Sequence, residues 1–182
     1  MATCYTREKI IEALEKCREI KLAGLELVGI NLSGLNLKGV NMRGAKLMYS
    51  DLSGCDLQGA DFSRTNLHKA ILDGSDLSDA ILLRANLSNG SLRDANLMRA
   101  NFAWANLSGG APTSGQSTKS VKGAALRGSN LVQADLRNAN LMRADLSGAD
   151  LRGANFDGAN LTRTDLQGAT YDETAFDRSI TV

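Results

Sequence analysis

The sequence predicts a solenoid, a stack of short units forming one domain, and three observations predict it. First, every fifth residue from Leu22 to Leu107 is Leu, Met or Phe, and the beat resumes at Leu126 and runs to Phe176, giving 18 repeats and then 11. Second, two residues before each centre stands a small residue, most often Ala (Ala60, Ala85, Ala144), followed by Asn or Asp (Asn31, Asp56, Asp145). Third, two variable polar residues follow the centre, and the second is Gly in 13 repeats, among them Gly34, Gly54 and Gly148. A period of five fits neither a strand nor a helix, so the chain must turn once per repeat. The large and small residues of each repeat point inward and interlock, while Asn or Asp between them bonds turn backbone. Gly supplies the positive φ of a type II turn. Repeats with Arg or Asn in its place, such as Met98-Arg99 and Arg137-Asn138, are expected to use another turn geometry.

Taken in order, the first element is an amphipathic helix over about 7–18, within a capping segment 1–19. Thr6 is its N-cap, Glu8 lies in its first turn, and Ile10, Leu14 and Cys17 share a face that lies over the first coil, with Ile11 widening the stripe. The repeats occupy 20–178. Between Leu107 and Leu126 the beat slips by one residue. If residues 110–123 (GAPTSGQSTKSVKG) are an insertion and Leu126 takes the side after Leu107, all four Phe fall in one column with Leu22, Met42, Leu82 and Leu136. A column of rings packs better than scattered rings. The stretch 110–123, which holds the only Pro, is thus read as a protruding loop. At the other end Tyr171, Phe176 and Ile180 only partly close the last coil before a tail over 179–182.

The A-[DN]-L-x-x beat, as in Ala144-Asp145-Leu146-Ser147-Gly148, resembles the pentapeptide-repeat proteins over residues 20–178. That resemblance implies an all-β solenoid, a right-handed quadrilateral β-helix with four pentapeptides per coil. Here it would have about seven coils over roughly 35 Å, with an N-terminal α-helical cap. It also implies that end-to-end dimerisation through the C-terminal end and a self-capped monomer are both open.

Composition excludes several classes. A net charge of +1 provides no global steering towards nucleic acid, and no apolar run is long enough to span a membrane. The start MATCYTREKI lacks a signal core, so a cytoplasmic location is expected. Cys4, Cys17 and Cys55 are odd in number and are read as reduced; Cys55 fills a slot that is usually Ala. His68, the single histidine, stands at an outward position with no nucleophile or carboxylate arranged around it, and is expected to face solvent. The recurrent Asp residues, such as Asp51 and Asp56, are turn anchors, and Asn-Leu-Ser at Asn31, Asn86 and Asn106 is a product of the repeat. Gly110-x4-Gly115 has Gln116 where a phosphate-binding loop needs Lys. No catalytic, cofactor or metal site is expected, and the protein is not read as an enzyme.

Arg64, Arg84 and Trp104 are 20 residues apart, hence stacked on consecutive coils, with Arg43 just beyond and Leu83 beside them. Arg84 is placed to make a cation–π contact with Trp104. Arg with exposed Trp is the composition of a protein-binding hot spot. The expectation is a non-enzymatic, regulatory interaction scaffold. It would bind a protein partner through Arg43, Arg64, Leu83, Arg84 and Trp104, with Lys119 and Lys122 of the loop. The form resembles cyanobacterial members of the family. The alternative implied by the resemblance is a DNA mimic that modulates DNA gyrase or topoisomerase. It is disfavoured by the near-neutral charge and by Arg43, Arg64, Arg84 and Arg137; direct nucleic-acid binding lacks the positive charge it needs.

Overall fold

The computed structural model describes residues 5–16, 20–109 and 122–180. Parallel bridges link each residue before a centre to the residue 20 further on: Asn31 to Asp51, Asp51 to Ile71, Asn36 to Asp56. Four such ladders run side by side, so one coil takes four pentapeptides and has four sides. Each repeat bonds its neighbours through three backbone links. The N–H of Leu27 donates to Lys46 O (2.8 Å), that of Gly29 to Met48 O (2.9 Å), and that of Lys46 back to Leu25 O (2.8 Å). With these links between coils, a turn once per repeat satisfies the backbone as a sheet would.

The centres from Leu22 to Leu161 are at most 5% exposed and fill the interior. Between them lie the small inward residues, from Ala45 to Ala159. Ser50, Ser75 and Ser129 take the same slot and return their hydroxyl protons to the carbonyls of Leu47, Leu72 and Leu126 at 2.6 Å. Cys55, a free thiol, does likewise towards Leu32 O at 3.1 Å, and burial pushes its pKa up. Among the described residues no buried side-chain nitrogen or oxygen lacks a partner.

The turns depart from expectation. Each closes by a bond from the small residue's N–H to the preceding centre, as Leu25 N to Leu22 O or Ala85 N to Leu82 O, whatever residue stands at the third position. Thirteen glycines there have φ of 62–72°, and 13 other residues, including Arg64, Arg99, Trp104 and Asn138, have φ of 54–64°. Repeats ending in Arg or Asn therefore share the left-handed conformation of the glycine repeats. The cause is the ladder: the third residue's N–H must meet the next coil, as Arg84 N meets Ala103 O at 3.0 Å, and this overrides its local preference.

Across the break, Ser91 bridges Ala125 and Asn106 bridges Asn140, an offset of 34 in place of 20. Leu126 thus occupies the side after Leu107, and the column of Phe62, Leu82 and Phe102 continues through Leu136 to Phe156 and Phe176. The rings of Phe156 and Phe176 lie 5.0 Å apart. Of the stretch 110–123, residues 110–121 lie outside the described residues. Its two stems meet: a Cβ on Gly109 would stand 2.5 Å from the Lys122 carbonyl oxygen, and Ala124 N bonds Leu107 O at 2.8 Å as an ordinary turn would.

Helix α1 spans Arg7–Glu15, with Thr6 as N-cap accepting from Lys9 N. It ends before the expected boundary at 18, since Lys16 already has turn geometry; Cys17 lies outside the described residues, as does Cys4. Glu8 is more acidic than usual through bonds to its own backbone N–H and the Thr6 hydroxyl. Ile10 is buried in the core cluster, and Tyr5 and Leu14 pack against it. The first coil carries Ile20, Leu25, Ile30 and Leu35, and the start of the second Val40, in the slots that later hold Ala, so the N-terminal end is more apolar. Arg7 donates to Asn31 O (3.0 Å) and Ser33 O (2.9 Å). In the next coil the equivalent carbonyls, of Asp51 and Ser53, accept from the N–H of Leu32 and Gly34. The guanidinium thus stands where a preceding coil's two donors would be. At the far end the ladder runs to Ile180, which bridges Asn160, two residues beyond the expected end of the repeats at 178.

Candidate functional site

The coil register decides which outward side chains meet. Arg64 N bonds Leu83 O, Arg84 N bonds Ala103 O and Trp104 N bonds Arg137 O, so Gly44, Arg64, Arg84, Trp104 and Asn138 form one corner column. Arg43, Ser63, Leu83, Ala103 and Arg137 form the column beside it. Five of the expected residues are therefore brought together: Arg43, Arg64, Arg84 and Trp104 are exposed, and Leu83 is half-buried between them. Lys122 is exposed at the stem of the inserted segment, at the next corner; Lys119 lies outside the described residues.

The contact expected between Arg84 and Trp104 is not formed. The one cation–π contact among the described residues joins Lys69 to the Tyr49 ring, 5.5 Å from its centroid. Trp104 is 58% exposed, whereas Tyr49 and Lys69, in the same left-handed turn position one corner on, do meet. His68 also differs from expectation. It is half-buried, with Nδ1 2.8 Å from Ser88 Oγ and its ring edge-on to Tyr49 at 5.9 Å.

Five of the thirteen arginines are paired with Asp. Arg43 pairs with Asp61, Arg99 with Asp79, Arg137 with Asp135, Arg152 with Asp150 and Arg178 with Asp157. The Arg137 and Arg152 guanidiniums hold Asp135 and Asp150 below the usual carboxylate range. Among the described residues Arg64 and Arg84 have no such partner, and they stand beside Trp104.

Between this corner and the next runs the side whose centres are Leu47, Leu67, Leu87, Leu107 and Leu141. Its middle column is Glu26, Lys46, Asn66, Asn86, Asn106, Asn140 and Asn160, with Lys46 paired to Glu26. Asn86 Nδ2 donates to Asn66 Oδ1 (3.2 Å) and Asn106 Nδ2 to Asn86 Oδ1 (3.3 Å). The same oxygens accept from the N–H of His68 and Ser88 two residues on. The sequence reading missed this amide ladder and the Tyr49–His68–Lys69 group, although both repeat at intervals of 20 residues and carry the signal that found Arg64 and Arg84. Among the described residues no cluster of His, Cys, Asp and Glu could hold a metal ion, and no helix is long and apolar enough to cross a membrane.

The family model for pentapeptide repeats matches eight copies, over 16–110 and 122–170. The chain belongs to the pentapeptide-repeat family. Members fold as right-handed quadrilateral β-helices and are generally non-enzymatic structural or interaction proteins. Among solved structures, one similar chain is HetL, a pentapeptide-repeat protein involved in heterocyst differentiation regulation in the cyanobacterium Nostoc sp. strain PCC 7120. It is 26% identical, with 91% of this chain and 92% of that chain covered and a TM-score of 0.46. Rfr23 from the cyanobacterium Cyanothece 51142 is 26% identical over 94% and 97% of the two chains, with a TM-score of 0.30. QnrB1, a plasmid-mediated fluoroquinolone resistance protein, is 17% identical over 85% and 86%, with a TM-score of 0.41. No curated protein matches the chain.

Proposed function

We propose that this pentapeptide-repeat protein is a non-enzymatic, cytoplasmic scaffold of regulatory role. It binds a partner protein through the corner bearing Arg43, Arg64, Leu83, Arg84 and Trp104, with the inserted segment at the border of that surface. The observation that carries the reading is that Arg64 and Arg84, stacked one coil apart with no ion pair among the described residues, stand beside an exposed Trp104, while Arg43 and Arg137 of the neighbouring column are held by Asp61 and Asp135. An exposed indole beside free guanidinium groups is the anchor type of protein interfaces. The inserted segment leaves at Gly109 and returns at Lys122, next to Met142 and Arg143 on the neighbouring corner, which favours its taking part. The solenoid supplies the rigid mount: about seven coils, closed at the N-terminal end by α1. The C-terminal end, where Tyr171 and Ile180 are exposed over a half-buried Phe176, is the surface through which we propose homodimerisation.

The test is quantitative capture of partners from a lysate by wild type, Trp104→Ala and Arg84→Ala. Both variants keep the wild-type circular dichroism and lose a specific captured protein. Capture unchanged in both variants would end this reading. A DNA mimic needs a surface dominated by acidic groups, and here the Asp columns are interleaved with Arg partners.

A further inference from the structure

Net charge conceals how the charges are sorted. On the Asn side and its two corners the described outward positions hold Arg43, Lys46, Arg64, Lys69, Arg84, Arg137 and Arg143, with acidic residues only on the first and last coils, at Glu26, which pairs with Lys46, and Asp157. Arg43 and Arg137 are held by Asp61 and Asp135 of the adjoining side, so the open positive charge is at Arg64 and Arg84 in the middle coils. The other three sides carry the acidic ladders: Asp51, Asp145 and Asp165 on one, Asp56, Asp76 and Asp150 on the next, Asp61 and Asp135 on the third. The Asn column sharpens the bias. The Asn66 and Asn86 oxygens already accept two bonds each, whereas Asn86 and Asn106 spend one of their two amide protons, so the column offers donors.

We propose that the Asn side docks an extended acidic segment of a partner protein, its carboxylates on Arg64, Arg84 and the amide ladder and an apolar side chain on Trp104 and Leu83. This rests on the reading of the same corner as a protein-binding surface and adds the chemistry of the partner. From Arg43 to Arg137 is four coil steps, about 19 Å at the ~4.8 Å spacing of paired strands, or about six residues of extended peptide. A single pentapeptide side is too narrow for a duplex, whose second strand would lie over the flanking Asp columns. Single-stranded nucleic acid is disfavoured by the aromatic groups. Stacking needs successive open rings, and Tyr49 is already covered by Lys69 and edged by His68, leaving Trp104 alone.

The chain has one tryptophan, so the emission of Trp104 reports occupancy directly. The probe is a peptide of about twelve residues, twice that footprint, made of Asp and Glu with central Leu residues. An oligothymidylate of equal charge is the comparison. The expected result is saturable quenching or blue shift with the peptide, weakening as ionic strength rises. Arg64→Glu with Arg84→Glu weakens binding at least about tenfold, as like charges at an interface do. Arg93→Glu with Arg127→Glu, an equal charge change at a corner flanked by Asp94 and Asp145, leaves it within about twofold of wild type. The proposal is overturned if the oligonucleotide binds more tightly than the peptide, if both double variants lose binding equally, or if neither probe binds. Failure here is separable from failure of the scaffold reading. A partner captured in a Trp104-dependent manner but not displaced by the peptide retains the scaffold and discards the acidic strand.

Discussion

The shared turn conformation makes a prediction of opposite sign at two classes of site. Gly24, Gly29 and Gly34 have φ of 72°, 68° and 71°, and a Cβ added at any of them meets nothing within 4 Å. Replacing all three with Ala therefore introduces no clash, only left-handed strain of ~1–2 kcal/mol each, offset by ~0.5–1 kcal/mol from the stiffer unfolded chain. The sum is about 1.5–3 kcal/mol of lost stability, or a Tm lower by about 3–12 °C for a chain of this size. Arg163 sits in the same conformation at φ 59°, exposed and with no ion pair among the described residues, so Arg163→Gly runs the balance backwards and raises Tm by about 1–4 °C. Asn89, at φ 57°, tolerates that region far better than Arg, and Asn89→Gly changes Tm by less than about 1 °C. The assay is thermal unfolding followed by circular dichroism under one buffer and scan rate. A fall in Tm for Arg163→Gly comparable to that of the alanine triple would refute the reasoning, because the non-glycine turns would then store no strain.

Three further outcomes are expected. Arg7→Ala removes two charge-assisted bonds to open-edge carbonyls and costs about 1–2 kcal/mol after discounting for exposure, and Arg7→Lys recovers less than half, since an ammonium lacks the fork that spans Asn31 O and Ser33 O; hydrogen exchange confined to the first coil reads the effect. Phe102→Ala empties the ring column beside Leu82 and Leu136 and lowers stability by about 3–5 kcal/mol in denaturant titration, whereas Phe102→Leu, the residue of the adjoining coils, costs less than half of that. Burial raises the Asp76 and Asp145 pKa, but bonds from Gln58, Ser78 and Asn96 to the first and from Ser147 to the second outweigh it; with folded pKa values below unfolded ones, their contribution is present above about pH 4 and lost as pH falls through the folded values, so Asp76→Asn with Asp145→Asn flattens the acid limb of a stability–pH curve.

The five-residue beat made the ladder legible, because no period but a turn every fifth residue buries Leu67, Leu72 and Leu77 together. The offset at the break was equally legible, since only one register puts Phe62, Phe102, Phe156 and Phe176 in a column. The turn conformation of Arg64 or Trp104 was not. Local preference argues against positive φ for these residues, and the bond to the next coil that imposes it is a non-local term. His68 was misjudged for a similar reason: its environment is set by Ser88 and Tyr49, which lie 20 and 19 residues away, and not by its own repeat. The corner of Arg64, Arg84 and Trp104 needed only the register; the Asn column and the acid-poor middle coils of that side needed the same register applied to every outward position.

That sorting is the reason whole-chain charge is a poor guide to what this molecule binds. Stacked sheets stand ~10 Å apart, so the outward groups on opposite sides of the coil are separated by more than the ~8 Å screening length at physiological ionic strength. An approaching ligand is governed by the side it meets, and the Asp columns of the other three sides cancel the total and hold Arg43 and Arg137 but leave the field at Arg64 and Arg84 in place. Nor does the fold resist such sorting. An outward residue enters neither the core nor, through its side chain, the backbone ladder: Lys46, Asn66 and Asn140 occupy equivalent places with the same bridges. Binding chemistry in this chain is thus written in columns of residues 20 apart, or 34 across the insertion. Arg64 and Arg84, without an ion pair among the described residues in a column that a different Asp placement could have neutralised, are where that chemistry is concentrated.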